Sequence, residues 1–358
     1  MREAILLVGG QGTRLRPLTL GTPKPMLPVA GVPVTVHQIE RARAAGIERV
    51  ILGTSYRAEV FAEHLGDGRH LGVEIAYAVE DEPLGTGGAI RNAAALLAGG
   101  PDDPVMVLNG DVLSGVDYAA LLNEHERTGA VATLHLVRVD DPSAYGLVPT
   151  DGDGRVLAFR EKPTTPEEII TDQINAGCYV FRRSAIDTIP GGRPVSVERE
   201  TFPALLAEGA LVRGIVDESY WLDLGTPWDF IRGSADLVRG IAPWPGHAPA
   251  DCLILEGAVI DTRAAVSGGS TIGRGCRVDA DARIHGSVIL DGAVVESGAV
   301  VQDSVVGAGA VIGAGAVVSG SVIGDRARIG SGNELRAGAR VWPDIELPAT
   351  AVRFSTDA

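Results

Sequence analysis

Short apolar runs alternate with amphipathic stretches over the first 240 residues. Ala4–Val8, Val50–Thr54, Val73–Tyr77, Val105–Leu108 and Ala130–Val137 are apolar enough to be strands inside a sheet. Pro33–Ala45 and Tyr118–Thr128 carry apolar positions at helical spacing. The alternation predicts an α/β sheet covered by helices. In such sheets ligand-binding groups gather beyond the carboxyl ends of the strands, so the segments that follow each run are where chemistry is expected.

The pattern then changes. Pro243, Pro245 and Pro249 interrupt regular structure, and an aliphatic residue afterwards returns about every six positions. It stands at Ile254, Ile260, Val266, Ile272, Val278 and Ile284, later at Val306, Ile312 and Val318, then at Ile323, Ile329, Leu335 and Val341, with Gly, Ala, Ser and Asp between. Neither a 3.6-residue helix nor a two-residue strand alternation explains that return. A coil of three short flat walls does, each wall turning one aliphatic side chain inward and leaving small residues for the corners, over roughly five coils. The expected division is residues 1–240, a linker 241–252, the coil 253–347 and a tail 348–358. Trp342 and Phe354 are the candidates for capping the coil or joining a contact between copies.

Composition narrows the function. A net charge of −15 excludes a general nucleic-acid surface, which needs a broad basic stripe. Arg14, Arg16 and Lys24 still concentrate positive charge locally, as a small anionic ligand requires. The three cysteines, Cys178, Cys252 and Cys276, are far apart and suggest neither disulfides nor a zinc site, which fits a reducing cytoplasm. No secretory signal and no apolar run of roughly 20 residues is present, so no membrane partner is expected.

Four segments carry chemistry. Gly9-Gly10-Gln11-Gly12-Thr13-Arg14 follows the first strand. Glycines there let backbone N–H groups approach phosphate oxygens, and Arg14 and Lys24 would neutralise charge on a triphosphate. The loop is neither a Walker A motif nor GxGxxG. Asn109-Gly110-Asp111 ends another strand, and Asp223 lies in Trp221-Leu222-Asp223-Leu224-Gly225-Thr226-Pro227; either carboxylate can hold Mg²⁺ beside phosphate. Glu161-Lys162-Pro163 pairs a hydroxyl acceptor with a flexible cation, and Asn175-Ala176-Gly177 sets an amide beside a close-approach glycine. These groups suit a sugar phosphate. Taken alone, each also reads as an ordinary turn or surface pair.

Together they resemble the sugar-1-phosphate nucleotidyltransferases, whose opening GGxGTRLxPLTxxxPKPMLPV stands at Gly9–Val29 without departure. Pro83-Leu84-Gly85-Thr86-Gly87-Gly88-Ala89, Asn109-Gly110-Asp111, Glu161-Lys162-Pro163, Asn175–Tyr179, Ser196-Val197-Glu198-Arg199-Glu200-Thr201-Phe202-Pro203 and Trp221–Pro227 make the two-domain mannose-1-phosphate guanylyltransferases the nearest branch. The coil resembles the hexapeptide-repeat family. The implied fold is a Rossmann-like domain with a mixed, mostly parallel sheet, followed by a left-handed parallel β-helix. By the same resemblance Leu7, Gly9, Gly10, Gly12, Thr13, Arg14, Lys24, Glu80, Pro83, Gly85, Asn109 and Asp111 would bind nucleotide. Gly146, Glu161, Lys162, Asn175 and Gly177 would bind the sugar phosphate, and Asp111 and Asp223 would hold Mg²⁺. Catalytic roles fall to Arg14, Lys24, Asp111, Lys162 and Asp223.

The implied reaction joins GTP and α-D-mannose 1-phosphate into GDP-mannose and pyrophosphate. A UDP- or dTDP-glucose pyrophosphorylase keeps the same groups, since PLGTGGA does not fix the base. A non-catalytic nucleotide-sugar sensor or scaffold is another reading, and an acyltransferase coil a further one, although His285 is the only histidine between Ile254 and Val341 and no long insertion breaks the period. Coil walls also leave edges that a second copy can cover, so a homo-oligomer is expected.

Overall fold

The computed structural model describes residues 1–353; Phe354 lies outside the described residues. The chain forms two compact units, Met1–Gly10 with Thr35–Trp221, and Gln11–Val34 with the chain from Leu222 onward.

In the first unit Glu3–Leu7 runs parallel to Arg49–Thr54 on one side and Pro104–Asn109 on the other, with Ile5 opposite both Ile51 and Val107. Arg49–Thr54 carries the parallel run on to Glu74–Val79. Beyond Pro104–Asn109 the long strand Gln173–Arg182 enters antiparallel. It also pairs with Ala132–Arg138, which takes Val212–Val216 parallel, and at its other end with Gly146–Leu147, which pairs with Arg160–Glu161. Among the described residues these make one nine-stranded mixed sheet, the Rossmann-like layout.

Its central strands are apolar between their end residues because both faces are covered. Ile90 and Ala93 of the helix Gly85–Ala93 join Ile5, Ile51, Val105 and Val107 in one core. The four parallel strands end at the same edge of the sheet. Val8–Gly10, Ser55, Glu80–Gly85 and Gly110–Asp111 are therefore the segments that follow them there, as the alternation requires.

The coil of the second unit consists of three parallel sheets of six, six and five strands among the described residues, an arrangement consistent with a left-handed β-helix. Ile272, Val278, Ile284, Ile289, Val295, Val301, Val306, Ile312, Val318, Ile323 and Ile329 are all at most 1% exposed, so each wall contributes its inward aliphatic residue. Burying such a side chain is worth about 1.5–3 kcal/mol.

One wall is shorter than the other two. Ile284 and Ile289, Val301 and Val306, and Val318 and Ile323 are five positions apart, so strands in the middle of the stack return every 17 residues. Its corner is closed by a buried serine ladder. Ser287, Ser304 and Ser321 each donate their N–H to the hydroxyl of the serine 17 residues earlier, at 3.1, 3.1 and 3.0 Å. Each hydroxyl donates in turn to the carbonyl two residues back, so the buried polar atoms are satisfied. His285 lies on a regular wall, its Nδ1 3.1 Å from Ser267 Oγ.

Candidate active site

Leu7, Gly9, Gly10, Glu80, Pro83 and Gly85 line one cavity of about 230 Å³ at the strand ends of the first unit. Gly53, Ser55, Thr86 and Ala89 complete its wall. A Cβ on Gly9 would sit 3.0 Å from Ser55 Oγ, so glycine keeps this face open. At the far wall Gly85 has φ +68°, and a Cβ there would lie 2.6 Å from the Val195 carbonyl oxygen. That carbonyl accepts the N–H groups of Gly87 and Gly88, while Val195 N–H donates to Leu84 O. The glycines of PLGTGGA thus let a helix start flush against the Val195 backbone. Burial raises the Glu80 pKa, partly offset by the Leu84 N–H that its carboxylate accepts at 3.1 Å.

Asn109 and Asp111 lie outside the lining of that cavity. Gly110 folds their turn back onto the first strand: its N–H donates to Leu7 O at 2.8 Å, and a Cβ would approach that oxygen to 2.6 Å. Buried Gln38 braces the turn, its Nε2 donating to Asn109 O and Val112 O at 2.7 and 2.9 Å.

A second group forms around a bulge in Gln173–Arg182, where the register shifts between Asn175 and Tyr179. Bulges re-aim side chains beside functional sites. Here Gly177, at φ +75°, lies against the Asn109 side chain, and a Cβ would come within 2.7 Å of Asn109 Nδ2. Asn175 Nδ2 donates to Tyr179 OH at 2.6 Å, and its Oδ1 accepts Gly177 N–H at 3.1 Å. Trp221 Nε1 donates to Ala176 O at 2.9 Å and pins the bulge from outside.

Gly146 stands opposite Glu161 across the short strand pair. A Cβ there would meet Glu161 Oε2 at 2.7 Å. Glu161 is mostly buried, whereas its neighbour Lys162 is exposed with Nζ 3.7 Å away. Lys162 holds φ +50°, a conformation that costs a non-glycine residue energy and often marks a functional site. Burial, then the Glu198 charge, raises the Glu161 pKa against the opposing pull of Lys162 and Arg199.

The second unit holds a cationic group of its own. Gly12 adopts φ +56°, and a Cβ would press on Lys24 Cβ at 2.9 Å; Thr19 Oγ1 donates to Gly12 O at 2.9 Å. Lys24 Nζ lies 3.6 Å from Asp223 Oδ1. The Arg14 guanidinium lies over Gly225, where a Cβ would be 2.9 Å from one Nη. Thr226-Pro227 then starts the helix Pro227–Val238 with a reciprocal cap, Thr226 Oγ1 and N–H both donating to Asp229 Oδ2 and Asp229 N–H to Thr226 Oγ1. The D-L-G-T-P sequence therefore combines a carboxylate, a seat for Arg14 and a helix start. Arg340 on the coil donates from Nη1 to Arg14 O and Arg16 O at 2.9 and 2.7 Å.

The structure brings six of the nucleotide candidates into one cavity, unites Gly146, Glu161 and Lys162, seats Gly177 on Asn109, and sets Lys24 beside Asp223. Asp111 belongs to the first unit and Asp223 to the second. Ser55, Thr86, Gln38, Glu198 and Arg340 escaped the sequence reading. Thr86 and Glu198 stood in quoted motifs and could have been found there; Gln38 and Arg340 arrive through contacts that no local spacing announces.

The nucleotidyl transferase family model matches residues 3–240, and the GMPPB C-terminal domain model matches 249–351. A mannose-1-phosphate guanylyltransferase of Mycobacterium tuberculosis is 55% identical over 359 residues, spanning 99% of this chain and 98% of that protein. The catalytic subunit beta of a Drosophila pseudoobscura mannose-1-phosphate guanylyltransferase is 38% identical over 281 residues, 77% of this chain and 72% of its own. Among solved structures, HddC from Yersinia pseudotuberculosis complexed with GMP-PN is 28% identical with a TM-score of 0.55, covering 66% of this chain and all of HddC. With both domains matched in order and a likeness that runs nearly end to end, the chain belongs to the nucleotidyl transferase family, in the branch of the mannose-1-phosphate guanylyltransferases.

Proposed function

We propose that the chain transfers GMP from GTP to α-D-mannose 1-phosphate, giving GDP-mannose and pyrophosphate. The observation that carries this reading is the single cavity into which the glycine-rich opening and the PLGTGGA turn both project, with Glu80 on its wall. Guanine presents adjacent N1–H and N2–H donors, and a carboxylate is the acceptor that matches them. Glu80→Gln should therefore lower the preference for GTP over ATP more than it lowers turnover with saturating GTP.

An ionised sugar phosphate is already a nucleophile. Its oxygen attacks the α-phosphorus, a new P–O bond forms, and the bond to the β-phosphate breaks with release of pyrophosphate. No covalent enzyme intermediate is needed, and catalysis consists of alignment and charge neutralisation. In the proposal Arg14 steadies the departing β- and γ-phosphates, Lys24 the phosphates at the reacting centre, and Lys162 the attacking phosphate. Glu161 and Asn175 read sugar hydroxyls, and Gly146 and Gly177 let the backbone approach. Gly12, Thr13, Asn109 and the cavity residues place the nucleotide.

A divalent ion fits the donor chemistry, because Asp111 and Asp223 both supply hard carboxylate oxygens. We assign the ion as Mg²⁺ held by these two residues, supplying neutralisation of phosphate charge. Among the described residues no helix is long and apolar enough to cross a membrane, and the three cysteines are free thiols. We place the enzyme in the cytoplasm, a reducing compartment that suits free thiols. We retain residues 1–240 as the catalytic part, with 253–347 serving assembly into a homo-oligomer.

The test is pyrophosphate release with Mg²⁺ over a matrix of GTP, UTP, dTTP, ATP and CTP against mannose 1-phosphate and glucose 1-phosphate. Dominant turnover of GTP with mannose 1-phosphate supports the assignment. Dominance of a glucose 1-phosphate pair would replace the substrates, and silence throughout would favour a sensor.

A further inference from the structure

Ser196–Pro203 has no substrate-facing role in the proposed transfer, yet it forms an unusual turn against both half-sites. Val197–Thr201 is a single π-helical turn, a geometry that recurs at functional sites. Ser196 caps it, its Oγ accepting Arg199 N–H at 3.1 Å. That hydroxyl donates to Glu198 Oε2 at 2.8 Å, and Thr86 Oγ1 donates to the same oxygen at 2.7 Å. Thr86 Oγ1 also accepts Val197 N–H at 2.9 Å. One carboxylate oxygen thus binds two hydroxyls, one of them in the wall of the nucleotide cavity.

On its other side the turn faces the sugar-phosphate group. Phe202, directly after it, stacks on Phe159 at 5.1 Å between centroids, and Phe159 lies two residues before Glu161. The groups acting electrostatically on Glu161 are Glu198 and Arg199 from the turn and Lys162 beside it. Burial first, then the Glu198 charge and more weakly that of Glu161, raises the pKa of Tyr179, whose OH accepts from Asn175. Glu198 is half-buried, so its charge is less screened by water than that of an exposed residue.

We propose that Glu198 is a positioning residue that ties the cavity wall at Thr86 to the hydroxyl-reading carboxylate of Glu161, so that the nucleotide and sugar-phosphate half-sites are energetically coupled through it. The inference rests on the assignment of those half-sites. A nucleotide pressing on Thr86 shifts the carboxylate whose charge acts on Glu161, and by reciprocity a sugar phosphate bound at Glu161 is felt at Thr86. A π-turn with both hydroxyl donors on one oxygen makes the link short and directional.

The test compares Glu198→Gln, Thr86→Val and the double variant. Glu198→Gln should raise KM for both substrates about fivefold or more while kcat changes less than about threefold. Thr86→Val should raise both as well, and the double variant should be no worse than the more severe single one. A carbon-13 titration of glutamate carboxyls in the full chain, with Glu161 assigned through Glu161→Gln, reads a second quantity. The Glu161 midpoint should fall in Glu198→Gln, because a like charge has gone. A change in only one KM, additive effects in the double variant, or an unmoved Glu161 midpoint would overturn the coupling. The titration needs no turnover, so it answers even if the substrate assignment fails. If the wild-type chain prefers another nucleotide and sugar phosphate, that assignment falls while the coupling is read with the preferred pair.

Discussion

His125 is 5% exposed in the helix Tyr118–Thr128, with Nδ1 2.9 Å from Thr133 Oγ1. Burial, with a smaller push from the Arg182 charge, lowers its pKa to about 4. A histidine neutral in the fold but protonated in the unfolded chain contributes stability that is fully present above about pH 6.5 and lost as pH falls toward 4, at most about 3 kcal/mol. The midpoint of urea unfolding should therefore drop between pH 7 and pH 4.5, and drop less in His125→Gln; parallel curves would show that His125 is not the group responsible. Glu80 and Glu161 have the opposite sign. Both carboxyls are raised by burial, so they cost stability when ionised, and the fold recovers it as pH falls through their values. With the substrate-binding roles proposed for these carboxylates, binding is lost over that same fall, which places an acid limb of kcat/KM above the ordinary glutamate range.

At the scale of elements, the bulge at Asn175–Gly177 breaks a strand's register and seats Gly177 on the Asn109 side chain. Gly177→Ala would put a side chain into a left-handed conformation, costing about 1 kcal/mol, and would push its Cβ to 2.7 Å from Asn109 Nδ2. KM for the sugar phosphate should rise at least tenfold with only a few degrees lost in Tm, measured by calorimetry beside steady-state kinetics. A loss confined to Tm would show that the bulge merely supports the sheet. The need for glycine at 177 was legible in the sequence as a close approach, but its partner Asn109 was not, because antiparallel pairing joins segments some 70 residues apart. The coil shows the same boundary. Its six-residue period was readable because every wall turns one aliphatic side chain inward. The five-residue step was not read at all, and Ser287, Ser304 and Ser321 fell among the small residues assigned to corners although they carry a buried hydrogen-bond ladder.

For the whole molecule, the compact units do not follow the change in sequence period. The signature loop Gln11–Val34 and the helix Pro227–Val238 cluster with the coil. Ser234 Oγ in that helix accepts Ala30 N–H at 2.9 Å and meets Thr271 Oγ1 of the coil at 3.1 Å. Leu255 packs so closely on Gly31 that a Cβ there would lie 2.4 Å away. Arg340 adds two hydrogen bonds to the carbonyls flanking Leu15, each worth about 1 kcal/mol or less at an exposed position. They hold the backbone on both sides of the residue that follows Arg14, and hence the direction of its guanidinium. The coil thus braces the loop that carries Arg14, and in the proposed function it also serves as a surface for assembly. Arg340→Ala should lower kcat about five- to twentyfold with little change in Tm, and Arg340→Lys should recover part of it by restoring one donor. A chain ending at Ala250 should lose more activity than Arg340→Ala, since it also loses Leu255 and Thr271. Light scattering on the same truncated chain separates the two roles. If it becomes monomeric yet keeps full kcat, the coil serves assembly alone; if it loses kcat while Arg340→Ala stays associated and impaired, the brace acts within each copy.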